Sequence, residues 1–434
     1  MERKIKIGEK ITINNTEIEL QKYDIEKLSK VKIKNKDLLI RIFKTISWLD
    51  KQRWNKENQR EFINFFKNSL TNCEKILTHW ICYITDRQMP FEIVWDKGGY
   101  VFSELVYEYS RNGLLPKQLL QKHYGPYKEN GKDKTGFKSS DSEYNFSSRY
   151  HSDDCQNILQ TLEILDMYEV AINGKKYKRN IVAFILHFIH RFKDEDDLLI
   201  RVSCALHLLT YQLNGINGKK ANPDNVIKIL KNNEKFEEKL KEFKKTSTTG
   251  KKRLWCCVRD YKKGLYHKIF TNAIKKEVSN SDAEELINMW NNLPMNQIEL
   301  PGDVWNNRPL FRDDLFAKVL DFDSSPKRKN GDLKWGMPKI IREIYNQLKT
   351  DEEVKDFYPE QFDITFDFVP RMCSKKLCDV CLFGKNGVES ICIPTKDKYC
   401  PVALLSCGYI AKCEEKGCII KKGISKGICK GGLK

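Results

Sequence analysis

Four cysteines near the carboxyl end of the sequence have the residue type and the spacing of a metal centre. In the stretch "CSKKLCDVCLFGKNGVESIC" they are Cys373, Cys378, Cys381 and Cys392, with the spacing C-x4-C-x2-C-x10-C. A two-residue gap lets two thiolates face one soft ion or cluster. Zinc sites usually have two C-x2-C pairs, whereas this stretch has one pair between single cysteines. The pattern therefore predicts a [4Fe–4S] cluster, with zinc as the alternative.

A second group of cysteines follows the first. It begins at Cys400, and its other members are candidates for a separate site, such as a zinc knuckle on a basic tail. These candidates are Cys407, Cys413, Cys418 and Cys429. The alternative is that the second group lends one ligand to the cluster.

The composition of the chain favours a nucleic-acid partner. The 434 residues carry a net charge of +18, and a protein this basic most often binds a polyanion. A compositional bias toward lysine and asparagine is the alternative. The sequence shows no apolar signal segment and no apolar stretch of about eighteen residues, so we expect a cytoplasmic protein without a membrane span. In that reducing compartment, fifteen cysteines indicate metal ligation or buried thiols rather than disulfides.

Hydrophobic periodicity predicts a mainly α fold, because apolar residues recur three and four positions apart over most of the chain. After a helical stretch at 36–122, helices are predicted at about 154–168, 180–192, 197–213, 224–245, 254–274, 282–291, 309–320 and 336–349. We expect five regions: an N-terminal extension with short strands (1–35), a helical lobe (36–122), an insertion of loop and helices (123–250), a second helical lobe (251–372) and the basic cysteine-rich tail (373–434).

Two polar stretches interrupt the helical pattern. Residues 124–152 are rich in glycine, serine and charged residues, which predicts a long loop. The stretch "FKKTSTTGKKR" (243–253) is predicted to be a basic turn. This turn is either a solvated linker or a cradle of backbone amides and basic side chains for a phosphate.

The approach to the cysteine motif carries a family resemblance. An amphipathic helix is predicted over "FYPEQFDITFDFVPRMC" (357–373), and a C-x2-C pair and a last cysteine follow it. This order resembles the iron–sulfur loop of the helix-hairpin-helix DNA glycosylases, the relatives of endonuclease III. The family's usual spacing is C-x6-C-x2-C-x5-C, so the fourth ligand is Cys392 by order or Cys400, which precedes Pro401. The resemblance implies a two-lobed helical body with insertions.

A second segment, "WICYITDRQMPFEIVWDKGGYVFSELV" (80–106), resembles the early helix pair of that family. In the family, a glutamine at the tight turn between the helices fills the gap that the extruded base leaves. Gln88 is the matching residue here. The alternative is an ordinary helix–turn–helix whose second helix starts at Pro90.

A third segment, "LPGDVWNNR" (300–308), resembles the stretch that carries the family's catalytic carboxylate. The resemblance places that carboxylate at Asp303, with Trp305 where the family usually has histidine. Alternatively, "LPGDV" is a degenerate hairpin, and the carboxylate is then Asp321 or Asp323. We prefer Asp303.

The resemblance also implies the reaction and the partner. No lysine lies where lyase members keep their amine, a position that falls near Glu285, so a monofunctional glycosylase is expected, with Lys275 or Lys276 as the alternative amines. The partner is double-stranded DNA, and a monomer is expected. The predicted DNA-contacting residues are Arg87, Gln88, Lys251, Lys252, Arg253 and Arg308.

Other interpretations use the same residues differently. An iron–sulfur protein that binds nucleic acid without base excision is the main alternative, and an electron-transfer protein is a weaker one. His187 and His190 lie at i and i+3 on an apolar helix and could share a ligand. Because such histidines more often belong to the core or its boundary, we expect no metal there.

Overall fold

The computed structural model is mainly α-helical, as the periodicity predicts. It describes residues 10–13, 16–19, 31–34, 36, 39, 40, 43, 47, 50, 70–85, 98–140, 144–146, 151–210, 222–245, 248–278, 282–299, 320–322, 336–355 and 357–363. These described residues fall into two units. One comprises the described residues between 54 and 246 and between 253 and 297, and the other those between 1 and 53, 247 and 252, and 298 and 363.

The described α-helices follow one another with short connections. They are α1 (Asn72–Thr85), α2 (Gly99–Arg111), α3 (Pro116–His123), α4 (His151–Met167), α5 (Ile181–Arg191), α6 (Leu198–Leu208), α7 (Pro223–Lys231), α8 (Asn233–Lys245), α9 (Thr248–Lys262), α10 (Gly264–Ala273), α11 (Ala283–Asn292) and α12 (Gly336–Leu348). A π-helical turn, Ile274–Val278, continues α10, and short 3-10 turns lie at Met295–Gln297, Glu352–Val354 and Pro359–Asp363.

The described strands are short and pair locally, with one exception. They are β1 (Lys10–Ile13), β2 (Thr16–Glu19), β3 (Val31–Ile33), β4 (Tyr124–Glu129), β5 (Lys132–Lys138), β6 (Asn145–Phe146), β7 (Val170–Ile172), β8 (Lys175–Tyr177) and β9 (Leu320–Phe322). All pairs are antiparallel, in the orders β1-β2, β4-β5-β6, β7-β8 and the long-range pair β3-β9.

Helix α1 is central to the larger unit, where it packs against α2, α4, α5 and α10. Every residue of α1 from Ile76 to Thr85 is buried, including polar residues such as His79. A helix that is buried on all sides belongs to the interior of a fold. Helix α5 is similar, and Asn180 caps its start by accepting a hydrogen bond from the Ala183 N–H at 2.9 Å.

The smaller unit combines the β3-β9 pair with α12, which packs on β3. The rings of Phe43 and Phe357 stack with centroids 4.0 Å apart. Gln361 joins two buried polar groups there, since it accepts a hydrogen bond from the Ser47 hydroxyl and donates one to Asp50. Helix α12 and the 3-10 turn at Pro359–Asp363 therefore share one small core.

Four local predictions were wrong, and one of them is the single helix predicted over 254–274, which the structure divides at Lys263 into α9 and α10. The long loop predicted over 124–152 is instead the sheet β4-β5-β6 followed by the start of α4. The single helix predicted over 224–245 is broken at Asn232, whose extended backbone lets its side chain cap α8. The predicted basic turn at 243–253 is helical up to Lys245 and again from Thr248, so Lys251, Lys252 and Arg253 lie within α9.

Candidate functional site

Most of the predicted site residues lie outside the described part of the structure. They are Arg87, Gln88, Asp303, Arg308, Asp323, Cys373, Cys378, Cys381, Cys392, Cys400, Cys407, Cys413, Cys418 and Cys429. Two described helices precede these segments in the sequence, and a third contains predicted contact residues. Helix α1 ends shortly before Gln88, α9 carries the predicted basic contacts, and α11 ends ahead of the segment that contains Asp303.

Arg253 connects α9 to the end of α1. Its guanidinium donates a hydrogen bond to the Ile84 carbonyl oxygen at 2.6 Å. The last carbonyl groups of a helix have no partner within the helix, and a positive charge at this end is favourable. Arg253 therefore helps to fix the end of α1, from which the chain continues toward the predicted wedge residue Gln88.

Helices α1 and α9 also meet through four buried polar side chains, which we name the α1–α9 polar centre: His79 and Tyr83 from α1, and Cys257 and Asp260 from α9. The Tyr83 hydroxyl donates a hydrogen bond to Asp260 Oδ2 at 2.5 Å, and His79 Nε2 lies 3.5 Å from the same oxygen. On the other side of the imidazole ring, Cys257 Sγ lies 3.7 Å from His79 Nδ1.

The order Cys257, His79, Asp260 has the residue types of a nucleophilic array, but its protonation states do not suit attack. Burial raises the pKa of the Cys257 thiol well above its ordinary value, and burial lowers the pKa of His79. A cysteine nucleophile acts as a thiolate and needs access to its substrate. Cys257 and His79 are both fully buried. The centre therefore serves to hold α1 against α9.

A third contact fixes the end of α11. The Lys262 ammonium group donates hydrogen bonds to the carbonyl oxygens of Trp290 at 2.7 Å and Leu293 at 2.6 Å, and a longer one to Asn291 at 3.3 Å. Trp290 returns a hydrogen bond from its indole N–H to the Tyr261 carbonyl oxygen at 3.0 Å. Burial, aided by the adjacent charge of Lys263, lowers the pKa of Lys262 to about 7.

Sequence reasoning missed both Lys262 and the polar centre. Lys262 follows Trp255 and Val258 at helical spacing on the buried side of α9, so a lysine on an apolar stripe was the available signal. His79 lies at helical spacing from the buried residues Ile76 and Tyr83 on α1 in the same way. The pairing of His79 with Cys257 depends on how α1 and α9 pack, and no local pattern encodes it.

The other histidine and lysine candidates lie at separate places, and two of them have partners of their own. The His187 Nε2 atom lies 3.4 Å from the Tyr168 hydroxyl, and burial lowers the pKa of His187, while His190 is exposed. Lys275 forms an ion pair with Glu284 at 2.6 Å. Among the described residues, no group of three or more histidine, cysteine, aspartate and glutamate side chains could hold a metal ion.

In comparisons with known proteins, no family model, curated protein or solved structure matches this chain. Within the described ranges, no helix combines the length and the apolar content that crossing a membrane requires.

Proposed function

We propose that the chain is a DNA glycosylase that removes a damaged or modified base by hydrolysing its N-glycosidic bond. The observation that carries the proposal is the C-x4-C-x2-C-x10-C motif, which follows a mainly helical body. The net charge of +18 supports a polyanionic partner, because lysines and arginines that neutralise phosphates supply most of the sequence-independent affinity for DNA.

The donor chemistry of the tail fits a [4Fe–4S] cluster, since four thiolates are its usual ligands. Cys373, Cys378 and Cys381 would hold it together with Cys392, or with Cys400 in place of Cys392. When bound, the cluster would hold the tail between Cys373 and its fourth ligand in one loop and would serve a structural role. A reducing cytosol would keep these thiols available for ligation. Zinc is the alternative at this site and the candidate for the second cysteine group.

Asp303 is the proposed catalytic carboxylate. As the base departs, positive charge builds on the sugar, and a carboxylate beside C1′ stabilises that charge. The same carboxylate orients a water molecule and accepts its proton as the oxygen adds to C1′. The leaving base takes up a proton, so the products are a free base and an abasic site.

The DNA-contacting residues have separate proposed roles. Extruding a nucleotide costs a few kcal/mol of lost stacking and pairing. Gln88 offsets part of this cost by filling the gap, and the described contact between Arg253 and Ile84 supports the helix end that leads to it. Basic residues bind phosphates and make the affinity dependent on salt. The remaining proposed contacts are Arg87, Lys251, Lys252 and Arg308.

The proposed enzyme hydrolyses the base without cleaving the strand. A lyase needs an amine that attacks C1′ as a nucleophile. Of the two alternative amines, Lys275 is paired with Glu284 at 2.6 Å, and Lys276 is exposed on the same π-helical turn. The proposal of a monofunctional glycosylase therefore rests on the sequence, which has no lysine at the position near Glu285.

Base release from labelled duplexes tests the proposal. Duplexes that carry different modified bases are incubated with the protein and then heated in alkali, which cleaves at abasic sites. Asp303→Asn should lower the rate of release by about 10²-fold or more and leave DNA binding intact. Asp323→Asn is the matched control. If only Asp323→Asn loses activity, the carboxylate is Asp323, and if no duplex releases a base, the enzyme proposal is wrong.

An iron–sulfur protein that binds nucleic acid without catalysis is the second candidate. Trp305, at the position where the related glycosylases usually have histidine, favours it. This candidate predicts tight duplex binding, no release of any base, and no effect of Asp303→Asn.

A further inference from the structure

The hairpin formed by β4 and β5 extends from the helical core as a two-stranded ribbon. Its base is anchored where Tyr124 pairs with Phe137, and Phe137 is fully buried against Phe102 and Phe146. From the pair of Pro126 with Thr135 outward, the ribbon is exposed or half-buried. At the usual strand rise of about 3.3 Å per residue, the four outer pairs reach about 13 Å beyond the base.

The tip of the ribbon is closed by a tight turn. Asn130 and Gly131 both have positive φ, at 53° and 75°. This backbone combination suits the right-handed twist of a two-residue hairpin loop, and Asn-Gly is the preferred pair for it. The register of the ribbon is therefore fixed at the tip by the turn and at the base by Phe137.

The register gives the ribbon two chemically different faces. Alternate residues point to opposite sides of a strand, so Lys132, Lys134 and Lys138 share one face, which we name the basic face. Tyr127, which pairs with Lys134, and Glu129, which pairs with Lys132, lie on the same side. On the opposite face, Lys128 pairs with Asp133, and the two charges balance.

Lysine charge exceeds acidic charge on the basic face. Lys134 forms an ion pair with Glu129 at 2.5 Å, and the other two lysines of this face are Lys132 and Lys138. Between them the face has a cross-strand pair of glycines, Gly125 and Gly136. The Lys138 ammonium nitrogen lies 3.7 Å from the position that a Cβ atom at Gly125 would occupy. The Lys138 side chain therefore lies along the ribbon beside Gly125.

A two-stranded hairpin alone is at best marginally stable, so an extended ribbon adds little to the core. Its basic face has the chemistry of a phosphate-binding surface. Lysines two positions apart on a strand lie about 6.6 Å apart, about twice the axial rise of 3.4 Å per phosphate along one DNA strand. A two-stranded ribbon also fits the width of the major groove. The outer part of the ribbon exposes no leucine, isoleucine or phenylalanine that could insert into a lipid surface.

We propose that the basic face of the β4-β5 ribbon binds the sugar–phosphate backbone of duplex DNA. This proposal rests on the proposed function, to which it adds a contact surface separate from the wedge and carboxylate segments. Such contacts set the position and orientation of the protein on the duplex and carry no sequence preference.

The salt dependence of binding tests the ribbon. Fluorescence anisotropy of a labelled duplex of about 30 base pairs is measured with the full chain at about 50 to 300 mM KCl. Replacing Lys132 and Lys138 together with alanine should lower the slope of log K against log salt by about 1.8, or 0.9 for each lost phosphate contact, and weaken binding more than tenfold at about 0.1 M salt. Replacing both with arginine should preserve the slope.

Lys128→Ala, on the opposite face of the same ribbon, is the matched control. It should leave the slope unchanged and the affinity within about twofold of wild type. An unchanged slope in the Lys132 and Lys138 variant, or an equal loss in Lys128→Ala, overturns the proposal. Equal thermal midpoints of the variants would show that neither change acts through folding. This control is needed because Lys138, unlike Lys128 and Lys132, is half-buried at the base of the ribbon.

The two proposals fail in different ways. A wild-type protein that releases a base while the alanine variant keeps its salt slope overturns the ribbon proposal alone. A wild-type protein that binds duplexes, releases no base and loses slope in the variant overturns the glycosylase and supports the ribbon. Binding to anionic phosphatidylserine vesicles but not to duplexes overturns both.

Discussion

The Lys262 ammonium nitrogen lies 2.6 Å from the carbonyl oxygen of Leu293, and this contact closes the end of α11. The C-terminal carbonyl groups of a helix need outside partners, and Lys262 supplies donors to three of them. Its ring contact with Trp290, 5.5 Å from the centroid, adds a favourable interaction with the charge. The end of α11, which precedes Asp303 in the sequence, is therefore well anchored.

Lys262 should make stability depend on pH near neutrality. Its pKa is about 7 in the folded chain because of burial, whereas an unfolded lysine has a pKa near 10.4. Between these values the unfolded chain binds more protons, so the free energy of unfolding rises with pH, by at most about 1.4 kcal/mol per unit. Urea unfolding of wild type and Lys262→Met from pH 7 to 9 should show a difference that grows in favour of wild type.

The control for this experiment is Lys268→Met, an exposed lysine on α10. It makes the same change of side chain without removing a buried charge. The difference between wild type and Lys268→Met should stay constant over the same pH range. A constant difference for Lys262→Met as well would contradict the assigned role.

Glu277 caps the first turn of α1. Its two carboxylate oxygens accept hydrogen bonds from the backbone N–H groups of Asn72 and Cys73, both at 2.8 Å. Negative charge is favourable at this end of a helix, and Glu277→Ala leaves both N–H groups without these partners. We expect the free energy of unfolding to fall by about 1–3 kcal/mol, measured as a lower urea midpoint.

Glu285→Ala is the control for the cap, because Glu285 is an exposed glutamate on α11. Its effect should stay within about 0.5 kcal/mol. Glu277→Gln should fall between the two, since an amide has one accepting oxygen and no charge. Equal stability of Glu277→Ala and Glu285→Ala would exclude the capping role.

Helix positions were predictable where the apolar spacing and the capping residue indicated the same helix. The apolar run of α5 follows a capping asparagine at 180, and the structure has the helix there. The β4-β5 ribbon was missed because its glycines and lysines resemble a loop, although Asn130-Gly131 was a hairpin signal in the sequence. The break at Asn232 was missed because the apolar spacing continues from α7 into α8, although Asn232 between them is a capping residue.

The candidate site was predictable only as separate segments. The spacing of the tail cysteines and the stretch around Asp303 are both local patterns. Both could therefore be proposed as candidate segments from the sequence alone. Contacts such as Arg253 with Ile84, or Cys257 with His79, join residues far apart in the sequence through helix packing. Gln88, Asp303 and the tail cysteines lie outside the described residues, so their roles stay predictions.

The metal content of the purified protein tests the cysteine motif, and single substitutions identify the ligands. Anaerobically purified wild type should be brown and contain about four iron atoms per chain. Serine at Cys373, Cys378 or Cys381 should remove most of the iron, because each substitution replaces a thiolate donor. Cys392→Ser and Cys400→Ser distinguish the two candidates for the fourth ligand, since only one of them should lose the colour.

Cys155→Ser is the control for these substitutions. Burial raises the pKa of the Cys155 thiol to about 12, so this cysteine stays protonated and is a poor metal ligand at neutral pH. The variant should keep its iron and its visible absorption. A colourless wild type that contains zinc would show that the motif is a zinc site and not a cluster site. A folded wild type without any metal would remove the main support for the glycosylase proposal.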